Sequence, residues 1–184
     1  MTYFAIVYAT KSSSGPVTDI ILNNIPVFDV DQIFVFGPVM FWVIIAIYLF
    51  FNPQKFPFTL KGIATFNLIR SLFLIMTHIG PFPTHLLING TGILGVFTSG
   101  NDLFFSGHTG LPFLMALMFW NKKFLRLFCL IASFFFGAVV LMAHLHYTID
   151  VFAAFFITYT IFHLAKVFFR KDHQVFLNGL DVDS

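Results

Sequence analysis

The feature that most constrains this chain is a series of apolar runs long enough to cross a bilayer, with most of the charge confined to the connectors between them. Residues 32–51 contain no Asp, Glu, Lys or Arg. About 20 apolar residues in a helix cover roughly 30 Å of hydrocarbon. Further runs extend over about 62–79, 106–120, 124–143 and 147–169. Backbone groups in hydrocarbon must be satisfied within their own segment, so such runs fold as helices. Charged residues make up only 10% of the chain, hydrophobic ones 58%, and the mean hydropathy is +0.89. A soluble domain carries about 25% charged residues, so this chain has too little charge to coat a water-soluble globule. The expected fold class is therefore all-α: a polytopic transmembrane helical bundle of about six spans, forming a single membrane domain over residues 1–184.

Within that frame the ends and the middle differ. Residues 1–10 are apolar but too short to span, and they lack a basic leader and a cleavage site. They read as the stub of a truncated first span. Residues 86–99 are short, apolar and glycine-rich, and are expected to re-enter or skirt the membrane. Residues 170–184 read as a loose, polar, cytoplasmic tail. A net charge of +2 gives no reason to expect nucleic acid, and the lone Cys129 excludes an intrachain disulfide.

Basic residues orient the bundle. Lys55 and Lys61 share one connector, Lys122, Lys123 and Arg126 another, and Lys166, Arg170 and Lys171 close the last run. With alternating spans all three clusters fall on one side, the cytoplasmic one. Residues 80–105 and the turn at His144–His146 fall on the other, where Lys11 is the only basic residue expected.

Two motifs on that second side carry chemistry. The first is Asp102-Leu103-Phe104-Phe105-Ser106-Gly107-His108-Thr109. Ser106 is placed to cap a helix that begins at Gly107. Free N–H groups and the positive helix end favour an anion there, and Gly107 lets a phosphate approach the backbone. The second is His144-Leu145-His146-Tyr147-Thr148-Ile149-Asp150, in which a helix would put His146 and Asp150 on one face. A carboxylate bonded to one imidazole nitrogen fixes the tautomer and raises the basicity of the other. One histidine can attack phosphorus while the other protonates the leaving alkoxide. The spacing leaves open which does which, although a contact from Asp150 favours His146 as nucleophile.

These residues resemble a known family. Asp102 to Thr109 and His146-Tyr147-Thr148-Ile149-Asp150-Val151 are similar to the signature motifs of sphingomyelin synthases and ceramide phosphoethanolamine synthases. Residues 152–158 and the stretch from Arg70 to Pro83 are similar as well. The resemblance covers residues 33–169, and its wider circle is the type 2 phosphatidic acid phosphatases, six-span helical bundles. It implies a membrane phosphotransferase that moves a phosphocholine- or phosphoethanolamine-type head group through a phosphohistidine on His146. Asp150 would orient His146, His108 would protonate the leaving group, and Asp102 would orient His108 or the incoming head group. The implied partners are a membrane phospholipid and a lipid alcohol such as ceramide or diacylglycerol, with homo-oligomerisation also allowed for. Two readings stand beside it: a lipid phosphatase or phospholipase C-like hydrolase, and a non-catalytic lipid-binding membrane protein. The chain departs from the phosphatase branch at Val140, where that branch has an arginine, and it lacks that branch's lysine–arginine motif. It departs from the synthase branch at Leu145, where an acidic residue is common. It contains no glutamate.

Other candidates are weaker. Arg70 lies inside an apolar run, where a cation normally faces the bundle interior. It either reaches phosphate or pairs with an aspartate. Arg70, Asp102, Ser106, Gly107 and Thr109 form the expected substrate-binding set. His108, His144, His146 and Asp150 have the donor chemistry of a metal site, but the family chemistry needs no metal, so neither metal nor cofactor is expected. Gly90-Thr91-Gly92-Ile93-Leu94-Gly95 has dinucleotide-loop spacing but lacks the flanking strand and helix that such a site requires. Asn89-Gly90-Thr91 is a glycosylation sequon.

Overall fold

The computed structural model describes residues 2–85 and 103–179. The re-entrant stretch, the glycine-rich spacing, the sequon and Asp102 all lie outside the described residues. Seven α-helices are described: α1 (Thr2–Lys11), α2 (Asp31–Phe50), α3 (Phe56–Met76), α4 (Gly107–Met118), α5 (Lys123–Met142), α6 (Thr148–Phe168) and α7 (Arg170–Asn178). A 3₁₀ turn, Pro53–Lys55, leads into α3.

Among the described residues, four segments are long and apolar enough to cross a membrane: Asp31–Phe50, Pro53–Met76, Lys123–Met142 and Thr148–Phe168. Their outward faces are apolar too. On α2, Phe34, Phe41, Ile45 and Leu49 are buried along one stripe, while Phe36, Val39, Met40, Val43, Ile47 and Phe50 are exposed. A water-soluble protein rarely exposes a contiguous apolar face of that extent; a lipid-facing helix does. The chain is an integral membrane protein of all-α architecture.

The short helix α4 is the centre of the bundle. At 1.5 Å per residue its 12 residues are too short to span alone. It packs against α3, α5 and α6, and Leu114, Met115 and Ala116 are fully buried. Small residues make this possible, as is usual where membrane helices approach closely. A Cβ on Gly110 would lie 2.7 and 2.8 Å from ring atoms of Phe66 and 2.8 Å from Thr158 Oγ1. Gly110→Ala is therefore expected to destabilise the fold by roughly 1–3 kcal/mol, seen as a lower Tm in detergent. An unchanged Tm would contradict this packing.

Helix boundaries depart from the sequence expectation in two places. The second full span runs 56–76 rather than 62–79. Pro57 suits a first helical turn, where its missing N–H costs nothing, and Thr77 turns extended ahead of Pro81 and Pro83. The other departure is the tail. Residues 170–178, expected to be loose, form α7, which folds back on α3. Phe176 is buried, Lys55 Nζ donates to its carbonyl at 2.7 Å, and Lys61 pairs with Asp172 at 2.7 Å. The first and last basic clusters therefore meet at one end of the bundle.

Candidate active site

The site is built at the opposite end, where α4 and α6 begin. Ser106 precedes α4 with extended backbone angles (φ −61°, ψ 122°), and its Oγ accepts the Thr109 amide at 3.4 Å. The Ser106 amide itself donates to the Asp150 carbonyl at 3.0 Å. This backbone bond ties the first motif to the second.

The second motif is held by the way α5 ends. His144 takes a left-handed φ of 54°. Its amide donates to the Leu141 carbonyl and the Leu145 amide to the Val140 carbonyl, both at 3.0 Å. These are the paired bonds of a Schellman helix stop, and the apolar contact that usually accompanies them falls between Leu145 and Val140, which share a buried cluster. Both departures from the family pattern thus have a structural role: the two residues close the turn that presents His146. His144 is spent on the scaffold as well. Its Nδ1 lies 2.8 Å from Thr84 Oγ1, and its ring meets Phe82 edge-on. Burial lowers its pKa, against the opposing pull of Asp19 and the Ile25 carbonyl.

His146 follows, 3% exposed, with Nδ1 3.3 Å from Asp150 Oδ2. The same oxygen accepts the Tyr147 amide at 3.0 Å. Asp150 therefore caps α6 and fixes the imidazole at once. An ionised carboxylate can only accept, so Nδ1 carries the proton and the lone pair sits on Nε2. That is the tautomer a nucleophile or base requires.

Arg70, Gly107 and His108 line a cavity of about 210 Å³ with Pro38, Phe41 and Trp42 among its walls. Arg70 is buried, and its Nε donates to the Phe105 carbonyl at 3.2 Å. A Cβ on Gly107 would sit 3.5 Å from that Nε, so the glycine keeps the start of α4 bare beside a guanidinium. A buried cation and a helix N-terminus together favour an anion. The His108 ring stacks on Phe34 at 4.3 Å. Pro38 and Pro112 both line the cavity; having no N–H, Pro112 supplies no donor to the His108 carbonyl. Trp42 also lines a second, almost wholly apolar groove of about 600 Å³ between α2 and α3.

The structure thus brings Ser106, Gly107, His108 and Arg70 together around the start of α4 and joins them through backbone to His146 and Asp150. Thr109 turns elsewhere: its hydroxyl lies against Gly137 of α5, and its carbonyl accepts Ser133 Oγ at 2.7 Å. Among the described residues no three His, Cys, Asp or Glu side chains converge on a metal-binding arrangement.

Two residues of this end have roles that the sequence reading did not assign. Asp19, in the segment between α1 and α2, takes the Thr148 amide on Oδ2 at 2.7 Å and the Thr148 hydroxyl on Oδ1 at 2.6 Å. Burial alone would raise its pKa. The hydrogen bonds from Thr148, Leu22 and Ile21 outweigh that and hold the carboxyl below its ordinary value. Tyr147, fully buried, donates its hydroxyl to the Gly80 carbonyl at 2.9 Å and accepts the Val17 amide at 3.2 Å. The available signal was indirect: with so few acidic residues, each aspartate on this side is a candidate helix cap.

Neither the curated proteins nor the solved structures contain a match to this chain. Residues 99–167 match the family model for the PAP2 superfamily C-terminal region. The matched segment contains both histidine motifs, and it supports membership of the PAP2 superfamily, whose members are phosphatases or phosphotransferases.

Proposed function

We propose that this protein is a membrane phosphotransferase that moves a phosphocholine- or phosphoethanolamine-type head group from a phospholipid to a lipid alcohol, ceramide or diacylglycerol. The observation that carries the proposal is the His146 Nδ1–Asp150 Oδ2 contact of 3.3 Å, joined through Ser106 to the α4 terminus beside Arg70. In the first half-reaction His146 Nε2 attacks phosphorus. A P–N bond forms, the P–O bond to diacylglycerol breaks, and His108 gives the departing alkoxide its proton. In the second, the acceptor hydroxyl loses its proton to His108 and attacks the phosphohistidine, restoring His146. Arg70 and the α4 terminus offset the charge on the non-bridging oxygens.

The amphiphilic substrate is supported by the walls. The cavity at Arg70 and His108 shares Trp42 with the apolar groove between α2 and α3, so a charged head and an acyl chain each find matching surroundings. The gathering of Lys55 and Lys61 with α7 at the far end supports a site on the non-cytoplasmic face.

The test uses purified protein in detergent with head-group-labelled phosphatidylcholine or phosphatidylethanolamine, with and without ceramide or a diacylglycerol whose acyl chains differ from the donor's. Label in a new lipid that depends on the added alcohol is the expected result. A water-soluble phospho-head group or free phosphate instead would make the protein a hydrolase. No turnover of either phospholipid would overturn the enzymatic reading in favour of a lipid-binding protein.

A further inference from the structure

Helix α6 begins with two carboxylates near its first turn, and only one belongs to the histidine motif. Asp150 takes the Tyr147 amide and His146 Nδ1 on the same oxygen, Oδ2. Asp19, from a segment 129 residues away in sequence, takes the next amide, that of Thr148, together with the Thr148 hydroxyl. Asp19 is itself held in place: Oδ1 also accepts the amides of Ile21 and Leu22 at 2.9 and 3.0 Å. The segment that leads to it is pinned at two further points. The Val17 amide reaches the Tyr147 hydroxyl. Ser14 donates through its amide and hydroxyl to the His78 carbonyl, where Gly80 is crossed so closely that a Cβ on it would collide with the Ser14 carbonyl.

We infer that Asp19 is a positioning residue for His146, acting by occupying the Thr148 donors so that Asp150 stays on the imidazole. The reason is competition for donors. A helix N-terminus presents N–H groups that some acceptor must satisfy. If Asp19 did not take the Thr148 amide and hydroxyl, Asp150, two residues away in the same turn, would be the carboxylate at hand. Turning toward Thr148, Asp150 would leave His146 Nδ1, and the ring would lose both its orientation and its fixed tautomer. The arrangement gives the Thr148 donors to Asp19 and leaves Asp150 to the Tyr147 amide and the histidine. As an effect on turnover, the inference rests on the phosphotransferase reading above; as an effect on the His146 ring, it does not.

The experiment therefore has two arms on the full chain in detergent. In the first, kcat and KM for head-group transfer are measured for Asp19→Ala, Asp19→Asn and Thr148→Val. A displaced nucleophile lowers kcat by roughly 10–100-fold with KM little changed. Asn, which keeps one acceptor oxygen, should recover part of the loss, and Thr148→Val, which keeps its amide bond to Asp19, should lie between wild type and Asp19→Ala. In the second arm the His146 Nδ1–H resonance is followed in 15N-histidine-labelled protein, assigned by its absence in His146→Gln. Asp19→Ala should shift or broaden it. Asp172→Asn, which breaks the ion pair with Lys61 at the other end of the bundle, should leave both readouts unchanged. If wild type shows no transfer, the phosphotransferase reading fails and the second arm alone decides. An unchanged His146 resonance in folded Asp19→Ala overturns the inference, as does a reduced Tm with normal kcat per folded molecule. Should Asp19→Ala fail to fold, Asp19→Asn and Thr148→Val carry the same comparison.

Discussion

Replacing His146 by alanine is expected to lower kcat for head-group transfer by at least about 10⁴-fold, the scale seen when a member of a nucleophile–base–carboxylate unit is removed. The ring is enclosed, with Nδ1 committed to Asp150, so in the proposed mechanism Nε2 is the atom left to bond phosphorus, and alanine offers no substitute. Alanine also leaves the buried Asp150 Oδ2 with the Tyr147 amide as its remaining contact, so some loss of stability should accompany the loss of rate. His146→Gln, closer in volume, separates the two effects. It should fold and bind phospholipid while forming no acid-labile phosphoryl adduct, measured by trapping label on the protein after brief exposure to head-group-labelled substrate. Retention of full activity in either variant would remove His146 from the mechanism.

The second large effect is expected at Asp150, where Asn and Ala should differ in kind. Asparagine set with its oxygen where Oδ2 now sits can still accept both the Tyr147 amide and His146 Nδ1. What it lacks is the negative charge that supports the imidazole as positive charge develops on it. A fall in kcat of roughly 10²–10⁴-fold with a near-normal Tm is the expected result. Alanine removes the cap too, which costs a further 0.5–2 kcal/mol or so, so Asp150→Ala should lower both kcat and Tm. Equal kcat in wild type and Asp150→Asn would mean that the charge of the carboxylate plays no part in the chemistry.

Much of the fold is legible in the sequence because the bilayer imposes a simple rule. Uninterrupted apolar length forces helix, and the basic clusters pair the connectors. The structure has helices over all the expected full runs, with α4 shorter and more central than a spanning helix. The misjudged tail shows where that rule stops. A nine-residue helix has almost no stability of its own, and α7 exists because Phe176 and Asp172 find Phe58, Lys55 and Lys61 in α3 and the turn before it. Nothing local in residues 170–178 announces those partners.

The site divides in the same way. The local part could be read directly. Ser106 caps α4 because serine before a helical glycine is a short-range pattern, and His146 meets Asp150 because four residues make one helical turn. Spacing alone could not say that the Ser106 amide would bond the Asp150 carbonyl, that Val140 and Leu145 would close the turn beneath His146, or that Thr109 would face Gly137. It was also silent on Asp19, whose bond to Thr148 crosses 129 residues of chain. By itself, then, the sequence determined an all-α membrane protein and the chemical identity of its His–Asp pair, since both follow from periodicities of a few residues. Only the tertiary structure decided which donors each carboxylate serves, because partners distant along the chain are chosen by packing, which no local pattern encodes.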